Sequence, residues 1–100
     1  MTAATDLTVT DAHRMSVVGH IDLDGKGDCM HVNVVDGVAY LGHMGYTDLG
    51  TSIVDVSDPT HPRLITQIPR PPGTHSHKVQ VVGSILLVNH ERNSGRPAGP

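Results

Sequence analysis

Histidine is the residue type here whose number and placement point to chemistry: 8 stand among 100 residues, against 2 aromatic residues, Tyr40 and Tyr46. His75 and His77 alternate by two, so an extended backbone sets both imidazoles on one face. His31 opens a run of alternating valines, and Asp28 and Cys29 come just before it. Imidazole, thiolate and carboxylate together form a transition-metal donor set, and copper, iron and zinc are the imidazole-compatible metals. His31, His75 and His77 are therefore the candidate metal ligands, with Asp28 as the nearby acceptor that would fix a ligand's tautomer. The competing role is structural, as polar residues at a wet strand entry bonded to loop carbonyls. No tight Cys-x-x-Cys or His-Glu-x-x-His spacing is present to decide between them.

Nucleophilic catalysis finds less support. There is no Gly-x-Ser-x-Gly elbow and no phosphate-cradling glycine loop. Cys29 follows Asp28, whose charge raises rather than lowers a thiol pKa. In Asn89-His90-Glu91-Arg92 a carboxylate adjoins a histidine, but neighbours on a strand point to opposite faces and make a poor acid/base pair. His43 and His90 each follow an apolar strand, and as matched residues they read as a repeat device whose ring nitrogens bond backbone of a neighbouring unit.

The elements that must position these groups are strands. Met15–Ile21 is a β-branched apolar run and reads as the first. Asp22–Asp28 follows as a solvated turn; its Asp-x-Asp-Gly opening is calcium-loop-like, but the later Glu is missing. Residues 30–35 and 38–42 flank Asp36-Gly37, a favoured two-residue hairpin turn. Strands at 52–56 and 63–68 complete four, and Arg70–His75 is an extended connector. The cycle then restarts at 78–82, Gly83-Ser84 and 85–88.

That cycle is an internal repeat. Shifting the chain by about 47 residues, the length of one propeller blade, aligns two halves without a gap. Val17, Val18 and Ile21 fall on Leu64, Ile65 and Ile68; Val32, Val34 and Val35 fall on Val79, Val81 and Val82; His43 falls on His90.

Between the third and fourth strands the chain reads Ser52-Ile53-Val54-Asp55-Val56-Ser57-Asp58-Pro59-Thr60-His61-Pro62. Two prolines forbid helix, and Ser57 and Asp58 can bond local backbone. On this stretch the chain resembles the LVIVD-repeat proteins, whose signature is an apolar strand ending Val-Asp-Val-Ser-Asp-Pro, then a small residue, Pro and another apolar strand. The resemblance implies an all-β fold of β-propeller blades, each of four antiparallel strands. One complete blade would be present, with the outer strand of a preceding blade at 15–21 and the inner two strands of a following one. On this reading residues 1–14 are a flexible lead, 15–92 the propeller part and 93–100 a loop or truncated end of an N-terminal fragment.

In such a ring the first strand of each blade lines the central channel, so His31, His75 and His77 would gather at one channel mouth. Two functions compete on that frame. The first is a binding scaffold for a small ligand or protein on the axial face, completed by the rest of the propeller or another chain. The second is a metal-dependent, oxidase-like enzyme, by a looser, compositional similarity to the histidine-rich selenium-binding protein/methanethiol oxidase propellers. A surface-attached repeat protein, a third role seen among LVIVD-repeat proteins, would need an export signal, and the start Met1-Thr-Ala-Ala-Thr-Asp lacks its basic and apolar regions.

Composition excludes other classes. Apolar residues make 37% and charged residues 17%, compatible with a packed core, though one thin in aromatic bulk. A net charge of -3 supplies no basic stripe for nucleic acid. No apolar run is long enough to span a bilayer, and a lone cysteine, Cys29, forms no intrachain disulfide, so a cytoplasmic location is expected.

Overall fold

Alternating valines and a two-residue turn build the first hairpin. The computed structural model describes residues 13–45 and 47–92. In it β1 (Cys29–Val35) pairs antiparallel with β2 (Val38–His43) across Asp36 and Gly37, both at positive φ (52° and 77°). That is the type I′ geometry whose twist matches the strands it joins, and Asp-Gly tolerates it. β3 (Leu49–Asp55) and β4 (Arg63–Pro69) continue the sheet in sequence order, giving four antiparallel strands. β3 starts three residues before the expected Ser52, because Leu49, Gly50 and Thr51 belong to its ladder and are buried. Their mixed polarity hides this in the sequence; a strand covered on both faces does not need the alternating pattern.

The corner from β3 to β4 is fixed by two successive Asp turns. Asp55 Oδ1 accepts from the Ser57 N–H (2.9 Å) and the Ser57 hydroxyl (2.6 Å). Asp58 Oδ1 accepts from the Thr60 N–H (3.1 Å) and hydroxyl (2.6 Å), and the His61 N–H donates to the Asp58 carbonyl. Ser57 thus uses its hydroxyl on Asp55 rather than on backbone. Each Asp replaces a backbone acceptor two residues on, which is why Val-Asp-Val-Ser-Asp-Pro turns reliably. Arg63 closes the corner with a 2.7 Å ion pair to Asp55 Oδ2.

After the connector, the short β5 (Thr74–His75) pairs with β8 (Glu91–Arg92), and β6 (Val79–Val82) pairs with β7 (Ile85–Val88). Gly83 takes φ 59° in the β6–β7 turn, the first central position of a type II′ hairpin. The pairs Val32–Leu41, Val34–Ala39 and Val35–Val38 recur as Val79–Val88, Val81–Leu86 and Val82–Ile85. The second hairpin therefore repeats the first in the same register, about 47 residues on. β6 packs against β1 and β2.

The core is small. Leu23, Ala39 and Val54 are buried, with Ile21, Cys29, Leu41, Val56 and Leu64 packed around them. Leu23 corrects the reading of 22–28 as a purely solvated turn. Asp22 and Asp24 are exposed, and the Asp24 N–H bonds Asp22 Oδ1, yet the same 3-10 turn, Leu23–Gly25, drives a leucine at φ 56° into the core. The Gln67 side chain holds that turn from β4 by donating to the Leu23 carbonyl (3.1 Å).

Residues 15–21, read from the sequence as a lone strand with no partner among these 100 residues, join no ladder. A strand exists only with a partner for its backbone groups, and this segment instead crosses the β3–β4 corner. A Cβ on Gly19 would collide with the Pro59 carbonyl oxygen, so the crossing is close. Ile21 packs on the core while Met15, Val17 and Val18 are exposed. Among the described residues no helix is long and apolar enough to cross a membrane. The readings for 1–12 and 93–100 lie outside the described residues.

Candidate functional site

Two histidine groups flank the contact between the first sheet and the segment 74–79. The first is centred on His43, the last residue of β2, whose ring is fully buried. Its Nδ1 lies 2.5 Å from Asp28 Oδ1 and its Nε2 lies 2.7 Å from Ser52 Oγ on β3. Gln67 donates to Ser52 Oγ (3.2 Å), and Thr47 donates to Asp28 from both its N–H (3.1 Å) and its hydroxyl (3.2 Å). The donors run one way with no conflict: Gln67 to Ser52, Ser52 to His43 Nε2, His43 Nδ1–H to Asp28, where Thr47 also donates. The ring takes the Nδ1–H tautomer and both its nitrogens are satisfied.

Serine, histidine and aspartate in this order are the residues of a hydrolytic triad. Here they are not catalytic. Ser52 and His43 have no exposed surface, so no carbonyl carbon can approach Oγ, and Gln67 already occupies that oxygen. The group is a buried polar pin joining β2, β3, β4 and the entry to β1. Cys29 sits 3.8 and 3.7 Å from the two ring nitrogens, a packing distance to both rather than a directed bond to either. Burial first, and the Asp28 charge second, push its thiol pKa up, so it is no thiolate nucleophile.

The second group is His75, His77 and Glu91. β5 and β8 set His75 directly opposite Glu91, and the two-residue alternation brings His77 alongside. The His75 and His77 rings stack with centroids 4.8 Å apart. His75 Nε2 lies 3.5 Å and His77 Nδ1 3.4 Å from the same Glu91 oxygen, Oε2. Both histidines are largely buried while Glu91 is about half exposed, so the group opens to solvent on the carboxylate side. His77 Nδ1 is buried and makes no hydrogen bond.

Glycines on the first sheet let this segment approach. A Cβ on Gly42 of β2 would fall 2.5 Å from the His77 carbonyl oxygen, and one on Gly50 of β3 would fall 3.0 Å from Ser76 Oγ. Ser76, between the two histidines, faces the other way; it is fully buried and its hydroxyl lies 2.6 Å from His90 Nδ1. His90 and its neighbour Glu91 thus serve opposite faces, in keeping with strand geometry. Both histidines at the repeat-matched positions bond side chains, His43 to Asp28 and Ser52 and His90 to Ser76, rather than neighbouring backbone as expected.

Of the three candidate ligands, the structure brings His75 and His77 together and sets His31 apart. His31 Nδ1 accepts the Val79 N–H (3.2 Å), tying β1 to β6 beside an open groove lined by Lys78, Gln80 and Leu87. The reason is register: on the repeat His31 matches Lys78, whereas His77 matches Met30, and adjacent strand positions face opposite ways. Asp28, expected to orient a ligand imidazole, is engaged by His43 and Thr47. Sequence reasoning missed Ser52 and Glu91. Glu91 is a poor partner for adjacent His90, and only the β5–β8 pairing reveals it facing His75. Comparison of the chain with protein-family models, with curated proteins and with solved structures finds no match in any of the three.

Proposed function

We propose that this chain is a run of β-propeller blades of the LVIVD-repeat kind acting as a binding scaffold. The observation that carries the reading is the second hairpin: β6–β7 repeats β1–β2 in register at blade length and packs against them, as one blade stacks on the next. The Asp-turn corner after β3 supports it, since it is the part of the sequence that resembles those repeats. So does the surface. Val32 and Val34 on β1, Ile65 on β4, and Ile85 and Leu87 on β7 are more than half exposed on strands that otherwise alternate. The occupant we assign to these faces is a further blade of the same kind, because β6 already covers part of β1 and β2 in that way.

The test is the association state of the isolated 100-residue chain. With blade faces uncovered it should self-associate with rising concentration in sedimentation, and Val34→Glu with Ile85→Glu should shift it toward monomer. A monodisperse monomer with a sharp, reversible unfolding transition overturns the reading. The second reading, a metal-dependent enzyme, draws on one observation, the His75, His77 and Glu91 group.

A further inference from the structure

We infer that His75 Nε2, His77 Nδ1 and Glu91 Oε2 form a binding site for a first-row divalent metal ion of the zinc or iron(II) type. It stands on the geometry of these three residues and is independent of whether the blades close into a ring. Among the described residues this is the one group of three or more imidazole, thiol or carboxylate side chains close enough to share an ion.

The distances suit an ion rather than direct hydrogen bonds. Two ligands each about 2.0–2.1 Å from a tetrahedral metal stand about 3.4 Å from one another. The two imidazole–carboxylate separations are 3.4 and 3.5 Å. A charge-assisted hydrogen bond between the same groups would measure about 2.7–2.9 Å. The ligand atoms these three residues offer all lie within 4.8 Å of one another, close enough to share an ion.

A second observation points the same way. His77 Nδ1 is buried without a hydrogen bond, and it is aimed at the Glu91 oxygen. A buried ring nitrogen without a partner is costly, and a metal supplies the partner that protein atoms do not. Donor chemistry then selects the ion. Two imidazoles and one carboxylate suit zinc or iron(II) and are too few and too nitrogen-rich for calcium or magnesium. Glu91 is about half exposed, so the ion would keep a position open to water or a small anion.

The β5–β8 pair and the glycine-lined approach hold the ligands in place. Thr74–Arg92 and His75–Glu91 are paired across the ladder, and Gly45, at φ 96°, lies against His75 with a Cβ there only 2.8 Å from the His75 Cβ. This is scaffolding from the first repeat for ligands of the second.

The experiment is titration of the untagged, metal-stripped chain with Co²⁺, read by its visible absorption, followed by displacement with Zn²⁺. The expected result is one equivalent of Co²⁺ bound and displaced by Zn²⁺. His77→Ala should weaken binding by at least about 100-fold, since loss of a direct ligand exceeds the loss from outer-shell partners. Glu91→Gln keeps size and shape on an exposed strand and should weaken binding by a similar factor while its circular dichroism stays that of the parent. His31→Ala should bind as the parent does. Saturable binding that is absent in the parent, or that persists undiminished in folded Glu91→Gln, overturns the inference. So does binding that is lost equally in His31→Ala.

Discussion

In the first repeat the carboxylate of Asp28 reaches His43, whose ring is sealed between β1, β2 and β3 and satisfied at both nitrogens. In the second, the position matching Asp28 is His75, and the histidine matching His43 is His90, which is exposed and bonded to Ser76. Three exchanges of residue type, Asp28 to His75, Met30 to His77 and Met44 to Glu91, separate a closed structural pin from an open ligand group. The His75 imidazole turns to the carboxylate it faces across the ladder, Glu91, and His77 joins it because the segment is extended.

The sharpest way to break the comparison is to remove the pin. His43→Ala leaves Ser52 and Asp28 short of a buried partner and opens a ring-sized void, and should cost about 3 kcal/mol or more. In a chain with so small a core that is a large share of total stability, and the urea midpoint should fall far enough to depopulate the fold. His75→Ala, at the open group, should shift the midpoint much less. Equal losses would mean that both groups are structural.

Gly42→Ala tests the joint between the two regions. Its Cβ would meet backbone, the His77 carbonyl oxygen, which cannot swing aside as a flexible side chain could. A cost of about 1–3 kcal/mol is expected, with weaker hydrogen-exchange protection at residues 74–79. Full protection there with an unchanged midpoint would show that the contact is loose.

The smallest effect lies away from both groups, at the β3–β4 corner, and serves as a control. The Ser57 hydroxyl, then the Ser57 N–H, then Arg63 hold the Asp55 carboxyl down to about 2 from its ordinary 3.8. Asp58 is also held low, chiefly by the Thr60 hydroxyl. A carboxyl depressed in the folded state contributes in full above its unfolded value and loses that contribution as pH falls through its folded value. The corner should therefore loosen between about pH 4 and 2, and Asp55→Asn should flatten that part of the pH dependence. An identical acid profile in Asp55→Asn would contradict the Asp-turn assignment. Neither result should alter the behaviour of His43 or His75.

These contrasts also explain what could be read from the sequence. Asp36-Gly37, Gly83-Ser84 and the Ser-Asp-Pro corner carry their own local chemistry, so the hairpins and the four antiparallel strands were legible from composition and spacing alone. Residues 15–21 have a strand's composition, and the order of strands in the sequence already leaves them without a ladder partner among the described residues. Leu23 was hidden because a left-handed leucine inside an acidic turn looks like solvent-facing chain. The pin was hidden because Asp28, His43 and Ser52 come from different elements and meet only through the β1–β2 and β2–β3 registers. For the open group the alternation of His75 and His77 was visible, while its third member needed the β5–β8 register.

The central claim, that the two histidine groups do different work, can be read from the imidazole nitrogens themselves. Two-dimensional ¹H–¹⁵N spectra of the histidine rings, recorded before and after one equivalent of Zn²⁺, report tautomer and ligation at every ring in one measurement. The expected result is a fixed Nδ1–H tautomer for His43 that Zn²⁺ leaves unchanged, with large shifts at His75 Nε2 and His77 Nδ1. Shifts at His43, or an absence of shifts at His75 and His77, would contradict it.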